Sequence, residues 1–174
     1  ANEDVTIDLG LGTEQVPHGS RANLGSYGRT KEASMTLPTG CVTYQTVKQS
    51  GNPSCSTIQQ CVDAVPTKAL TGDYCIDILD SATYSERVTV EGKNPNNFKI
   101  KIGALTGTNR PVVNPPTSST AAFNIINSSV SILGLSIIST NAVQYGITAS
   151  SFNITISSVN IDSGGNITVA GISL

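Results

Sequence analysis

A repeat in the last third of the chain constrains the fold more than any other feature of the sequence. The segment VSILGLSII (130 to 138) aligns with ITISSVNID (154 to 162), so that apolar residues match apolar ones and small or polar residues match small or polar ones. The strand before this unit also recurs, as AAFNI (121 to 125), YGITA (145 to 149) and AGISL (170 to 174). Alternating strands that return at a fixed interval, with no helix between them, are typical of a solenoid of stacked parallel coils.

The fold class predicted from this repeat is all-β, a parallel β-helix of about four coils that occupies residues 74–174. In such a coil every backbone N–H and C=O finds a partner one coil away, and the inward apolar residues stack into columns. Asn, Ser and Thr at the bends tolerate left-handed backbone conformations. The rival fold is a β-sandwich, which also needs many alternating strands but does not predict a fixed offset.

The remaining residues divide into two parts. Residues 1–40 are Gly-rich and polar after VTIDLGL, and they predict an extended N-terminal arm. Residues 41–73 predict a cap on the first coil, built around a short helix at 56–66. Together with the coils, this cap forms a single domain over residues 41–174.

The helix prediction depends on capping residues and on one apolar face. Ser56 or Thr57 can serve as the N-cap, and Pro66 ends the helix. Ile58, Val62 and Val65 fall on one face, so the helix should lie against an apolar surface.

The segment from Ser56 to Gly92 resembles the opening of pectin methylesterase-like proteins, which belong to the pectin-lyase-like class of right-handed parallel β-helices. The matching residues of the helix motif are Thr57, Ile58, Gln59, Val62, Asp63, Ala64 and Pro66, and those of the segment that begins the next coil are Tyr84, Glu86, Val88 and Val90. The resemblance implies a right-handed β-helix with a helical cap. It implies no catalysis, because the matched residues are mainly architectural in that family. The later segments that supply its catalytic Asp, Gln and Arg residues have no counterpart here.

Four cysteines and no CxxC pair favour disulfides over a metal site. Disulfides predict an oxidising, extracellular environment; buried free thiols in a cytoplasmic protein are the alternative. Spacing does not determine connectivity, but two pairs of equal separation are plausible, Cys41 with Cys55 and Cys61 with Cys75.

Two further features fit a secreted protein. The chain opens on ANEDV, and an initial Ala is what signal-peptide cleavage often leaves. Asn127, Asn153 and Asn166 stand in N-x-S/T sequons and are candidate glycosylation sites in a eukaryotic secretory route. Chance is the competing explanation, since Ser, Thr and Asn are abundant throughout the chain.

Composition argues against several classes of partner. The net charge of −2 offers no basic surface for nucleic acid or anionic lipid. No apolar run is long enough to cross a membrane. We therefore expect neither nucleic acid nor a membrane as a partner, and no motif calls for a cofactor or a metal.

The chain is not predicted to be an enzyme. Acid/base chemistry on a polysaccharide needs convergent carboxylates, and Asp162 is the one charged residue after position 110. His18 stands alone in the arm. An acidic group in the first coil, near Arg87 and Lys93, is a candidate Ca²⁺ or uronate site, although a solvated outer face is the simpler explanation: Asp73, Asp77, Asp80, Glu86 and Glu91.

The two ends of the solenoid point to a function. The last segment, ITVAGISL, is β-prone and uncharged, and an uncapped terminal coil is a template for another strand. The arm segment VTIDLGL alternates apolar and polar residues in the way such a strand requires. The predicted subunit interface consists of Val5, Ile7 and Leu9 on the arm and Val169, Ile172 and Leu174 on the last coil.

These features predict a secreted structural subunit that polymerises head to tail into an extracellular filament or surface layer, the arm of one copy completing the last coil of the next. The partner is thus another copy of the chain. The alternative is a polysaccharide-binding or polysaccharide-processing β-helix, such as an adhesin, tailspike or pectin-active fragment.

Overall fold

The computed structural model describes residues 40–93, 96, 98–104, 110–151 and 153–174. Within these residues the chain forms thirteen strands and one short helix. In chain order the elements are β1 (Cys41–Val47), α1 (Ile58–Ala64), β2 (Asp73–Ile78), β3 (Thr83–Tyr84), β4 (Val88–Glu91), β5 (Ile100–Ala104), β6 (Val112–Val113), β7 (Ala121–Ile126), β8 (Val130–Leu133), β9 (Ser136–Ile138), β10 (Val143–Ser150), β11 (Ile154–Ser157), β12 (Asn160–Asp162) and β13 (Ile167–Ser173).

The strands form three parallel sheets, each of which receives one strand from every coil. Sheet A has the order β1-β2-β5-β8-β11, sheet B the order β12-β9-β6-β3 and sheet C the order β13-β10-β7-β4. The chain therefore runs through A, B and C in turn, and coils 1 to 4 begin with β2, β5, β8 and β11. The predicted all-β solenoid of about four parallel coils is confirmed; its right-handedness stays a prediction.

The register confirms the repeat residue by residue. Ile154 pairs with Val130 in sheet A, and Ile161 pairs with Ile137 in sheet B. In sheet C, Tyr145 pairs with Ala121 in coil 2 and with Ala170 in coil 4. The aligned segments are thus the same structural positions of successive coils.

The core consists of inward columns to which each coil adds a residue at the same place. The column of sheet C is formed by Val88, Phe123, Ile147 and Ile172. The two columns of sheet A are Tyr74, Ile100, Val130 and Ile154, and Ile76, Ile102, Ile132 and Ile156. Each residue of a column thus stacks on its counterpart in the next coil, about 4.8 Å away.

The corner between sheets A and B needs a left-handed residue in each of the last two coils. Gly134 has φ 62° and Ser158, its counterpart 24 positions later (158 minus 134), has φ 53°. Asn127 adopts the same region, with φ 47°, between sheets C and A. Glycine does so without a steric cost, and short polar side chains tolerate it, as predicted for the bends.

The predicted capping helix is present and shorter than expected, with α1 spanning Ile58–Ala64. Thr57 is the N-cap, and its side chain accepts a hydrogen bond from the Gln60 backbone N–H. Ile58, Val62 and Val65 are buried, so the apolar face lies against the solenoid as predicted.

Both disulfides are present, but the pairing suggested by equal spacing is wrong. Cys41 is bonded to Cys75, and Cys55 to Cys61. The reason is β1, which sequence reasoning did not identify as a strand. Because β1 runs parallel to β2, it brings Cys41 to within 5.9 Å of Cys75 between Cα atoms, while Cys55 stands beside the helix that carries Cys61.

The two bonds should differ in their contribution to stability. Removing Cys41 and Cys75 opens a loop of 34 residues, whereas removing Cys55 and Cys61 opens one of 6. Loop-closure entropy alone predicts losses of about 4 and about 2 kcal/mol. Urea unfolding of C41A/C75A and C55A/C61A, each the control for the other, tests this; equal losses would contradict it.

Asp77 points outward as predicted but is not solvated, which corrects the expectation of a polar outer face. Its side chain is 6% exposed and accepts a hydrogen bond from the Tyr44 hydroxyl of β1. Its register partners are Thr46 and Gly103, and a Cβ on Gly103 would stand 2.8 Å from Leu133 Cβ. The outer face of sheet A is thus packed at this point, and burial raises the pKa of Asp77 from 3.8 to about 6.

This raised pKa predicts a pH-dependent loss of stability. A buried carboxyl whose pKa is raised binds a proton in the folded chain at pH values where the unfolded chain has released it. The contribution of Asp77 to the unfolding free energy is therefore largest below pH 3.8 and is lost as pH rises through about 6. We expect the difference in unfolding free energy between wild type and D77N to fall from about pH 4 to about pH 7 in urea titrations.

The matched control is D162N, since Asp162 lies exposed on β12. D162N makes the same Asp-to-Asn change at an exposed position and so reports the effect of the substitution itself. In D77N the new side-chain amide oxygen should still accept the hydrogen bond from the Tyr44 hydroxyl, so the variant removes the titration and keeps the contact. A D77N curve parallel to that of the wild type would show that Asp77 does not titrate in this range.

Candidate subunit interface

The last coil ends in three strand edges that face away from the solenoid. Within the described part of the chain, β11, β12 and β13 each have a neighbouring strand on one side and none on the other. The backbone N–H and C=O groups on the outer side therefore have no strand to pair with among these residues. Such an edge pairs readily with any strand that fits it.

The inward columns reach this end of the solenoid uncovered. In the sheet C column, Phe123 and Ile147 are fully buried, but Ile172 is 43% exposed. The neighbouring column ends on Leu174, which is 81% exposed. Val169 is 63% exposed beside the register irregularity of β13. The three residues predicted on this side of the interface are thus all exposed.

In sheets A and B, too, the inward residues are more exposed in coil 4 than in coil 3. Four inward residues of coil 4 are partly buried, although their counterparts in coil 3 are completely buried: Ile154, Ile156, Val159 and Ile161. The inward apolar residues of the last coil are therefore partly exposed in all three sheets, beside strand edges that have no neighbour among the described residues. We refer to this surface, the outer side of β11, β12 and β13, as the open end.

At the opposite end, which we call the closed end, each of the three strands of coil 1 has its outer edge covered at least in part. In sheet A, β1 covers the edge of β2. In sheet C, the side-chain amide of Gln59 on α1 takes the place of a strand on β4. Its Oε1 accepts from the Thr89 N–H at 2.6 Å, and its Nε2 donates to the Thr89 carbonyl at 3.2 Å. In sheet B, the Nε2 of Gln49 donates to the Thr83 carbonyl of β3 at 2.7 Å.

Two charged side chains of coil 1 hold the ends of α1. Glu86 accepts from the backbone N–H groups of Ile58 and Gln59 at 2.8 and 2.9 Å, where the helix dipole favours an anion. Lys93 Nζ donates to the carbonyl of Val65 at 2.9 Å, at the other end. Burial raises the pKa of Glu86, and the two backbone donors offset part of that rise.

The acidic residues considered for Ca²⁺ or uronate binding do not converge. Asp73 pairs with Lys101 at 2.8 Å. Burial raises the pKa of Asp73, but the hydrogen bonds and charges of Lys101 and Lys99 together outweigh this and lower it. Asp80 accepts from the Tyr84 hydroxyl at 2.6 Å and from the Gln49 N–H at 2.9 Å, at the closed end. The described residues contain no group of three or more His, Cys, Asp or Glu side chains that would hold a metal ion.

The predicted arm residues lie outside the described part of the chain, whereas the asparagines of the three sequons lie within it. Val5, Ile7 and Leu9, like His18, lie outside the described residues. Of the sequons, Asn127 is exposed and Asn153 is partly buried. Asn166 already donates through Nδ2 to the Ser139 carbonyl at 2.8 Å in the coil below. Glycosylation at these sites stays a prediction.

No family model, curated protein or solved structure matches the chain. The residues that resemble pectin methylesterase-like proteins serve the closed end here: Thr57 caps α1, Gln59 blocks β4 and Glu86 anchors the helix. The parallel β-solenoid implied by the resemblance is present, and membership of the family has no support from the comparisons.

The two disulfides fit an extracellular protein. The described part of the chain contains no helix whose length and hydropathy would allow it to span a membrane.

The closure by Gln59 can be tested directly. Gln59→Ala removes the partners of both Thr89 backbone groups, so we expect the unfolding free energy to fall by about 1 to 3 kcal/mol. The control is Gln144→Ala, since Gln144 is an exposed glutamine on β10. If both variants unfold at the same urea concentration as the wild type, the amide does not contribute to closing β4.

Proposed function

We propose that the protein is a secreted structural subunit that assembles head to tail into an extracellular filament or surface layer, the N-terminal strand of one copy completing the last coil of the next. The observation that supports this most strongly is the contrast between the two ends. One end is closed by a helix, a strand and two side-chain amides, while the other exposes apolar columns and three strand edges.

This contrast also argues against simple stacking of one solenoid on another. For the last coil of one copy to continue into the first coil of the next, the edges of β3 and β4 would have to be free. They are already occupied by Gln49 and Gln59. The coil 1 edges of sheets B and C are thus not available to the open end of another copy, which supports a separate strand as its partner.

Residues 5–11 supply such a strand in the sequence. Val5, Ile7 and Leu9 alternate with Thr6 and Asp8, and about thirty residues separate this segment from β1. A tether of that length spans up to about 100 Å when extended, against about 20 Å for the height of four coils. The open end of a neighbouring copy is thus within reach.

A contact of this kind is heterologous, because a donor strand meets an acceptor end on another copy. Each copy has one donor and one acceptor, so the contact repeats without closing and produces a filament. The strand-to-edge pairing is β-augmentation, in which backbone hydrogen bonds contribute affinity and side-chain columns contribute specificity.

The test is a deletion of residues 1–12. We expect the truncated protein to remain folded by circular dichroism and to be monomeric by size-exclusion chromatography with light scattering, while the full chain forms filaments visible by negative-stain electron microscopy. The matched control is T6S/D8N, which leaves the apolar residues of the strand intact and should still assemble. Filaments of the truncated protein would contradict the proposal.

A second candidate function is polysaccharide binding, favoured by one polar column on the outer face of sheet C. It consists of Thr89, Asn124, Thr148 and Ser173, aligned at intervals of about 4.8 Å. Glycan-array binding that is lost on Thr148→Val would support it. Saturable turnover of galacturonan that is abolished by Asp77→Asn or Asp80→Asn would contradict a purely structural role.

A further inference from the structure

We propose that residues 5–9 add to sheet C, parallel to β13, in the register that places Ile7 opposite Ile172 and Leu9 opposite Leu174. This inference rests on the proposed function, because it specifies which of the three free edges the donor strand occupies and how it lies there.

Length and exposure select β13 from the three edges. β13 spans seven residues, whereas β11 and β12 span four and three. The most exposed inward side chains also belong to sheet C. Ile172 and Leu174 are exposed, whereas the inward residues of β11 and β12 are partly buried. A strand on β13 therefore gains the most backbone pairing and buries the most apolar surface.

The columns select the register. Ile172 ends the column of Phe123 and Ile147, and Leu174 lies two residues further along the chain. Apolar residues spaced by two are needed to continue both columns, and Ile7 and Leu9 provide them. In this register Val5 falls opposite Ala170, whose column holds Ala121 and Tyr145.

The charge of Asp8 selects the parallel direction. In the parallel register Asp8 is opposite Ser173, at the end of the outward polar column of sheet C. In the antiparallel register with the same Ile7 contact, Asp8 would be opposite Gly171. A Cβ on Gly171 would stand 3.7 Å from Ile161 Cγ2, so this position faces apolar surface, where a carboxylate is much less favourable than the Thr6 hydroxyl that the parallel register places there. Every strand pair among the described residues is also parallel.

Paired cysteines in the full chain test this arrangement, because the four native cysteines are engaged in disulfides. The variant D8C/S173C places the two new thiols on directly opposed residues. The controls keep one cysteine and move the other: T6C/S173C for the antiparallel direction, D8C/S157C for β11 and D8C/D162C for β12. Each is oxidised with copper phenanthroline and separated on a non-reducing denaturing gel.

We expect D8C/S173C to form a ladder of cross-linked oligomers at a yield about ten-fold above the controls, since disulfides form only when the Cα atoms lie within about 7 Å. A ladder that is strongest in D8C/S157C or D8C/D162C would place the strand on another edge, and one strongest in T6C/S173C would reverse its direction. Equal yields in all four variants would also overturn the inference.

The outcome distinguishes this inference from the proposed function. A cross-linked monomer in D8C/S173C, with no ladder, would mean that the strand pairs with β13 of its own chain. The register would then be correct, and assembly between copies would be wrong. If electron microscopy shows filaments but the cross-link forms on another edge, assembly between copies would be correct and the proposed position on β13 would be wrong.

Discussion

The structure depends on backbone hydrogen bonds between coils. Among the described residues, each strand pairs with strands of the adjacent coils and with none of its own coil, so the strands of one coil cannot satisfy their own N–H and C=O groups. The inward columns follow the same rule, since each apolar side chain is covered by its counterpart in the adjacent coils. A solenoid built in this way is stable in its middle and incomplete at both ends.

The closed end shows what completion of a coil requires. On β4 the amide of Gln59 presents one donor and one acceptor to the backbone of Thr89, as the peptide group of another strand would. Glu86 and Lys93 then hold the seven-residue helix that carries this amide, which is too short to be stable without such contacts. The cap is therefore a set of local substitutes for a missing coil. The strand edges of the open end also lack partners among the described residues, and its inward apolar side chains are exposed as well.

The regular part of the fold was predictable because coils 3 and 4 keep equal lengths, so Ile154 follows Val130 at the offset that the sequence displays. The earlier coils are less regular: 26 positions separate Tyr74 from Ile100, and 30 separate Ile100 from Val130. The strand β1 lies outside this repeat, and two errors follow from missing it. The pairing of Cys41 with Cys75 and the burial of Asp77 beneath Tyr44 both require a strand that runs beside β2.

The position of β1 matters for the proposed filament because the arm joins the solenoid there. Tension on an arm held by a neighbouring copy would reach the body at Cys41, the first residue of an edge strand. An edge strand loaded at its end is released one hydrogen bond at a time, which needs little force at each step. The bond from Cys41 to Cys75 moves the load from that edge into β2, which is paired on both sides. The Cys55 to Cys61 bond lies within the cap and would not share this load. In the proposed filament the two disulfides would therefore serve different ends, one stabilising the cap and the other carrying the load from β1 into the stacked coils.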